Sequence, residues 1–404
     1  MYFILSWRNL WRNKKRTVIA AASVFFAVLL AVVMRSGQKG SYSYMIDSSA
    51  KLFTGYLQVQ GKGYWDNRSL DRSIILNADQ QKNISEIPHV TAVTPRLEAY
   101  SLVAYETSTK VAQVTGIDPS LEDRLTGLKK RLSKGSYLSR GSDGVLIAQG
   151  LADLLKISVG DDLIIYGQGY HGQIAAARLP VSGIVDLPFP ELNNSMVYLT
   201  LSQAREVFSA YKRITSLAVI VDNVRNLSSV VTSVRRITGE ESAIMTWDEM
   251  LPDLVQNIQL DNASGIIMII ILYIVITFGV FGTVMMMTSE RLKEFGILIS
   301  VGMKKSRLII VTMVESIFIS ILGVVAGILG SIPIIFYLHY NPIRMTGDAA
   351  KAFESIGVEP IMNFSTDPQI LLSQSVVVLI IALATSIYPV LFIRRIQPAK
   401  AVHG

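Results

Sequence analysis

The chain has 404 residues, 50% of them hydrophobic and only 17% charged, with a formal net charge of +7 and no cysteine. A mean hydropathy of +0.40 is high for a soluble protein, and the missing cysteines exclude a fold stapled by disulfides. The length allows two or three domains.

Residues 2–13, YFILSWRNLWRN, place Phe3, Trp7, Leu10 and Trp11 on one helical face and Arg8 and Arg12 on another. Trp on the apolar face and Arg on the polar one predict a short helix, within 1–16, lying in a membrane interface. The plain alternative is the start of the first span. That span, 17–35, has a basic flank like a signal peptide. Its apolar core exceeds the usual ~7–15 residues, and it ends without an A-x-A site, so it reads as a retained anchor.

Residues 36–263 are too many for a loop and read as a mixed α+β domain. β-prone runs predict strands at 56–60, about 215–221 and 243–246, with helices at 201–208 and 227–237. Gly-based turns between β-prone runs predict an inserted β-rich subdomain over about 121–184. Thr246-Trp-Asp-Glu249 is a capping box. Leu251, Leu254, Val255 and Ile258 follow it at helical spacing. An unbroken helix over 246–288 would be about 65 Å long and would carry the second span outward as a stalk; Gly265, Gly279 and Gly282 are the places where it could bend.

Three further apolar runs place spans at 264–288, 308–338 and 370–393, each long enough for a bilayer core of about 30 Å. An outer loop, 339–369, joins the last two, and 394–404 is a tail. The segment before the first span, the segment 289–307 and the tail together hold thirteen bases and two acids, a net +11. The formal total is +7, so the remaining residues carry −4. By the positive-inside rule all three basic stretches face the cytoplasm, with both termini inside. The basic balance therefore reports topology and not nucleic-acid binding. The fold expected is an α-helical membrane protein with four transmembrane helices, arranged one plus three, and a large extracytoplasmic α+β domain.

Catalytic signatures are missing. The run from Gly55 to Gly63 departs from a phosphate-binding loop in spacing and lacks the Ser/Thr after Lys62. His89, His171, His339 and His403 are scattered, which argues against a metal site. Glu315 is the one acid inside a span, a functional candidate by default. Near the span end it reads as paired with a base such as Lys305 or Arg307. Gly323 and Gly327 permit close helix packing, weakly suggestive of a dimer.

The segment between spans two and three, SERLKEFGILISVGMKKSRL, mixes charge with an apolar stripe of Leu292, Phe295 and Ile299. Gly302 is placed to end its helix. The segment is either a plain turn or a helix that docks on a partner. It resembles the cytoplasmic segment of FtsX-like ABC permeases of the MacB-LolC-LolE type. The matching residues are Glu290, Arg291, Glu294-Phe295-Gly296, Ile297-Leu298, Gly302, Lys304-Lys305 and, in the next span, Glu315. Pro389, Arg394, Arg395 and Pro398 resemble the family's ending, and Gly150, Leu151, Ala152, Gly160 and Asp161 its outer domain.

The resemblance implies a non-catalytic subunit of a bacterial inner-membrane transporter. It implies a coupling helix in which Glu290, Arg291, Lys293, Glu294, Phe295, Leu298, Ile299 and Gly302 contact a separate cytoplasmic ATPase. Phe295 and Ile299 would anchor in the partner's groove, with the charges fixing register at its rim. ATP and Mg would bind that partner, and this chain would hold no cofactor. A second permease copy or a paralogue, membrane lipids, and a lipoprotein or other envelope substrate complete the implied partners. Lipoprotein release is the expected function; export of an antibiotic or peptide, or regulation of cell-wall hydrolases, are the alternatives.

Overall fold

The computed structural model describes residues 2–12, 14–348, 350, 353 and 359–396. Pro398, Lys400 and His403 lie outside the described residues. The chain divides into two units. A helical unit comprises Met1–Ser43, Ile258–Arg344 and Ile361–Gly404, and a sheet unit comprises Tyr44–Asn257 and Met345–Pro360.

Four helices are long and apolar enough to cross a membrane: Lys14–Ser49, Pro252–Glu290, Lys305–Tyr340 and the pair spanning Pro368–Arg395. Small and β-branched side chains form their common core. Val24, Val28 and Ala31 of the first meet Ile276 and Val280 of the second, Val324 of the third, and Val378 and Ala382 of the fourth. The opposite faces stay apolar yet exposed, as at Phe278 and Leu329, which suits a surface solvated by lipid.

Gly323 and Gly327 lie against the first span. A Cβ at Gly323 would sit 2.6 Å from Cβ of Val24 and 2.7 Å from the Ala21 carbonyl oxygen. One at Gly327 would sit 2.7 Å from Cβ of Val28. The glycine pair thus serves contact within the chain and supplies no support for a dimer. Outside the spans, the segment ahead of the fourth helix is fastened to the first by Ser36, whose hydroxyl donates to the Ser365 carbonyl at 2.7 Å.

Two predicted helices are broken by proline. The capping box at Thr246 and Glu249 forms, but its helix is only Trp247–Met250. The second span then starts afresh as Pro252–Glu290 and runs through Gly265, Gly279 and Gly282. Leu251, at φ −123° and ψ 59°, is the break, because a residue before proline is pushed out of the α region. The fourth span divides at Ser386 into Pro368–Thr385 and Ile387–Arg395. There Pro389 has no N–H to give the carbonyl of Thr385.

In the sheet unit the strands are β1 (Leu57–Gly61), β2 (Val90–Tyr105), β3 (Ser108–Ile117), β4 (Leu132–Gly135) and β5 (Val145–Ala148). They continue as β6 (Asp162–Gln168), β7 (Ile174–Val185), β8 (Met196–Thr200), β9 (Ser216–Val221) and β10 (Ser242–Thr246). β2 is long enough to serve two structures. Its first half pairs antiparallel with β9, and β9 continues through β1 to β10 as an open sheet. Its second half pairs with β3 on one side and β6 on the other. From there β3 pairs β8, β8 pairs β5, β5 pairs β7, and β7 pairs β6. Those pairings close a ring of six strands.

The ring encloses Leu97, Val103, Val114, Ile147, Leu163, Ile165 and Val197, with Leu151 and Leu155 from the helix Gln149–Leu155 in the same core. A second core lies under the open sheet, around Leu57, Val59, Leu217 and Val219, with Val230 and Val234 of the helix Leu227–Thr238. The β-rich part is therefore no insertion confined to 121–184. It begins in β2, ends in β8, and shares β2 with the open sheet.

Candidate functional site

The chain between the second and third spans folds into a helix of nine residues, Leu292–Ser300, shorter than the 289–307 segment. It is a separate piece at both ends. Arg291, at φ −93° and ψ 4°, interrupts the preceding helix. At the far end Val301 is the cap and Gly302 follows at φ +103°, a conformation that favours glycine. The Gly302 N–H donates to the Ile299 carbonyl and the Met303 N–H to the Leu298 carbonyl, each at 3.0 Å. Those two bonds are the Schellman pairing. Gly302 therefore stands one position past the cap predicted for it.

The predicted apolar stripe faces inward. Phe295 is 1% exposed and packs with Leu308, Ile393 and Ile396, joined by Leu292 and Ile299. It is part of the bundle's own core, so its predicted role as an anchor in a partner's groove is corrected. Arg291 also points in. Its guanidinium donates to both carboxylate oxygens of Glu315, to one of them at 3.5 Å. It also reaches Glu294 at 3.4 Å and lies 5.2 Å from the centroid of the Phe295 ring. Arg291 and Glu315 are 7% and 2% exposed. An arginine buried this way cannot set register at a partner's rim.

Glu315 is thus paired with Arg291, not with Lys305 or Arg307. The Lys305 ammonium instead donates to the carbonyls of Arg394 and Ile396, at 3.2 and 2.8 Å. The Arg291–Glu315 pair borders a small recess of about 40 Å³ whose lining includes Thr283, Thr288, Thr312 and Ser316. Glu290, the last residue of the second span, pairs with Arg16 at 2.8 Å across a partly exposed gap.

The outward face is apolar too. Ile297 is 54% exposed, Leu298 39% and Val301 83%, and exposed Lys293 continues the row 293, 297, 301 at helical spacing. Sequence reasoning missed Ile297 and Val301 because it found one stripe and stopped. The signal was present: apolar residues fall on two faces of a short helix, and one bundle can cover only one of them. Of the predicted contacts, Lys293, Glu294 and Leu298 stay accessible, while Arg291, Phe295 and most of Ile299 do not. Among the described residues no cluster of His, Cys, Asp or Glu is placed to hold a metal ion.

Residues 17–237 match the family model of the MacB-like periplasmic core domain, and residues 266–398 match that of the FtsX-like permease C-terminal region. The chain belongs to the FtsX/MacB/LolC family of ABC permeases. Among its relatives is the lipoprotein-releasing system transmembrane protein LolC of Xylella fastidiosa (strain 9a5c), 22% identical over 331 residues, covering 78% of each chain. Another is the macrolide export ATP-binding/permease protein MacB of Vibrio parahaemolyticus, 21% identical over 324 residues. That alignment covers 78% of this chain and 49% of MacB. The solved periplasmic region of MacB from Actinobacillus actinomycetemcomitans aligns at 17% identity and a TM-score of 0.37, covering 52% of this chain and 95% of that one. The nine-residue helix falls inside the FtsX-like match, and the family membership makes this chain a membrane-spanning permease.

Proposed function

We propose that this permease is driven by a separate ATPase subunit that docks on the inter-span helix, and that its work is lipoprotein release. The carrying observation is the apolar outward face of that helix, Ile297, Leu298 and Val301. Exposed apolar residues rimmed by charge mark an interaction site. On this reading the helix and both termini face the cytoplasm of a bacterial inner membrane, and the sheet unit lies outside. The permease works with a second copy or a paralogue. ATP and Mg bind the ATPase, and this chain performs no chemistry.

A partner that grips the helix differently in its ATP and ADP states shifts the permease between two arrangements. The shift is limited to that difference in affinity. The similarity to LolC over 78% of both chains supports lipoprotein as cargo. The MacB relative supports a second reading, export of an antibiotic or peptide.

The test is purification of the tagged full chain from its native membranes in mild detergent, with ATP hydrolysis assayed in the eluate. The double substitution Ile297→Asp, Val301→Asp should cut the recovered ATPase at least about tenfold, equivalent to about 1.4 kcal/mol. Undiminished ATPase would remove the docking assignment. Release of acylated but not unacylated lipoprotein from reconstituted membranes would then separate the first cargo from the second.

A further inference from the structure

We propose that Arg291 and Glu315 are positioning residues: their buried pair is the joint that fixes the inter-span helix to the third span, so that the two move as one body. The part concerning movement under ATP rests on the docking reading above; the joint itself does not.

Regular helix is interrupted on either side of this segment. The segment is cut from the second span at Arg291 and turned away from the third at Gly302. Side chains must therefore hold it. Among the described residues its buried side-chain ties run to the third span and to the last helix. Arg291 reaches Glu315, and Phe295 packs on Leu308, Ile393 and Ile396. The tie at the second span, Arg16 to Glu290, lies ahead of the break, with side chains 34% and 37% exposed. Exposed pairs contribute little, whereas removing one partner of a buried pair leaves a stranded charge and is strongly disruptive. Phe295 supplies apolar contact but no direction. The guanidinium, aimed at both oxygens of one carboxylate, supplies the direction.

The chain contains no cysteine, so spin labels can be placed without removing any. One goes at Ser300, at the end of the helix, and one at Leu329, which is 65% exposed on the third span. About 36 Å of helix separates Lys305 from Leu329, a range suited to pulsed dipolar spectroscopy on the full chain in nanodiscs. The otherwise native chain should give one narrow distance distribution. Arg291→Ala and Glu315→Ala should each widen it at least about twofold. The exchange Arg291→Glu with Glu315→Arg should narrow it again, and Glu290→Ala should leave it unchanged.

Unchanged width in the single variants, or no rescue by the exchange, would overturn the joint. Should the alanine variants fail to accumulate, Arg291→Lys and Glu315→Gln read the same quantity. With co-purified ATPase bound, ATP should leave the distance unaltered; a shift would show that helix and span move separately, and would overturn the proposal. A native chain that retains no ATPase would instead remove the docking reading, with the nanodisc measurement still deciding the joint.

Discussion

At the scale of single residues, polar groups rather than apolar ones fix geometry here. In the sheet unit Arg96 donates to Glu122 through Nε and Nη2, at 3.1 and 2.6 Å, and also to the Phe53 carbonyl. The pair is almost fully buried and ties β2 to the helix Pro119–Thr126. That helix begins at Asp118, whose carboxylate accepts from the backbone N–H groups of Ser120 and Leu121 at 3.0 and 3.2 Å. Partial burial raises the Asp118 pKa, but hydrogen bonds from the Ser120 hydroxyl, the backbone and Arg140 outweigh it and hold the group below its ordinary value. A folded pKa lowered in this way gives stability above the unfolded value of about 3.9 that is lost as pH falls through the folded one. Asp118→Ala should cost about 0.5–2 kcal/mol near neutral pH, the usual range for a lost cap. The gap should shrink in urea melts of the full chain carried out below pH 4.

The residue scale also shows what sequence could not reach. An acid in the third span demanded a basic partner, and that much followed from hydration cost alone. Choosing among Arg291, Lys305 and Arg307 needed the positions of three helices. Lys305 is nearer in sequence, yet it caps the carbonyls at the end of the last helix.

At the scale of elements, the helices were legible from composition, and their ends were set by proline and glycine. The break at Leu251 was already written in Pro252, and a stricter reading of the residue before proline would have found it. The ring of strands was not legible. β2 and β3 form a hairpin across Glu106 and Thr107, but ring closure depends on β6 meeting residues 101–104 of β2, a long-range pairing that no local pattern encodes. Tyr100, Leu102, Val111, Ile164 and Tyr166 are all exposed on the strands of this ring. The apolar alternation there was therefore too weak to mark inside from outside.

Glycine in the third span gives the sharpest test at this scale. Gly323→Ala puts a methyl 2.7 Å from a backbone carbonyl oxygen of the first span, which a side-chain shift cannot relieve. It should cost about 1–3 kcal/mol, as overpacking does. Heating the detergent-solubilised protein and following the soluble fraction will measure it. Gly279→Ala, where nothing lies within 4 Å of the added carbon, should leave the melting temperature unchanged or raise it slightly.

At the scale of the whole molecule, orientation is a matter of charge. The segment holding Lys293 and the basic flank before the first span share one sign of excess, and the proposed cytoplasmic placement of both rests on the positive-inside rule. Single cysteines at Lys293 and at Tyr211, which is 68% exposed in the sheet unit, give a direct reading. In intact cells an impermeant maleimide should label position 211 and spare 293. Labelling at 293 in intact cells would reverse the orientation and with it the docking proposal.

The sequence by itself determined the number of spans, the existence of a large α+β unit, the family, and the presence of a short amphipathic helix between the second and third spans. Those properties depend on local composition and period, because twenty apolar residues demand a bilayer wherever they pack. Only the tertiary structure decided which of the helix's two apolar faces is spoken for. Phe295 and Arg291 are taken up by Ile393, Leu308 and Glu315, residues from other helices, which leaves Ile297, Leu298 and Val301 outside. Both faces carry apolar side chains, so which one is buried was settled by where matching shape and an opposite charge lay in the bundle.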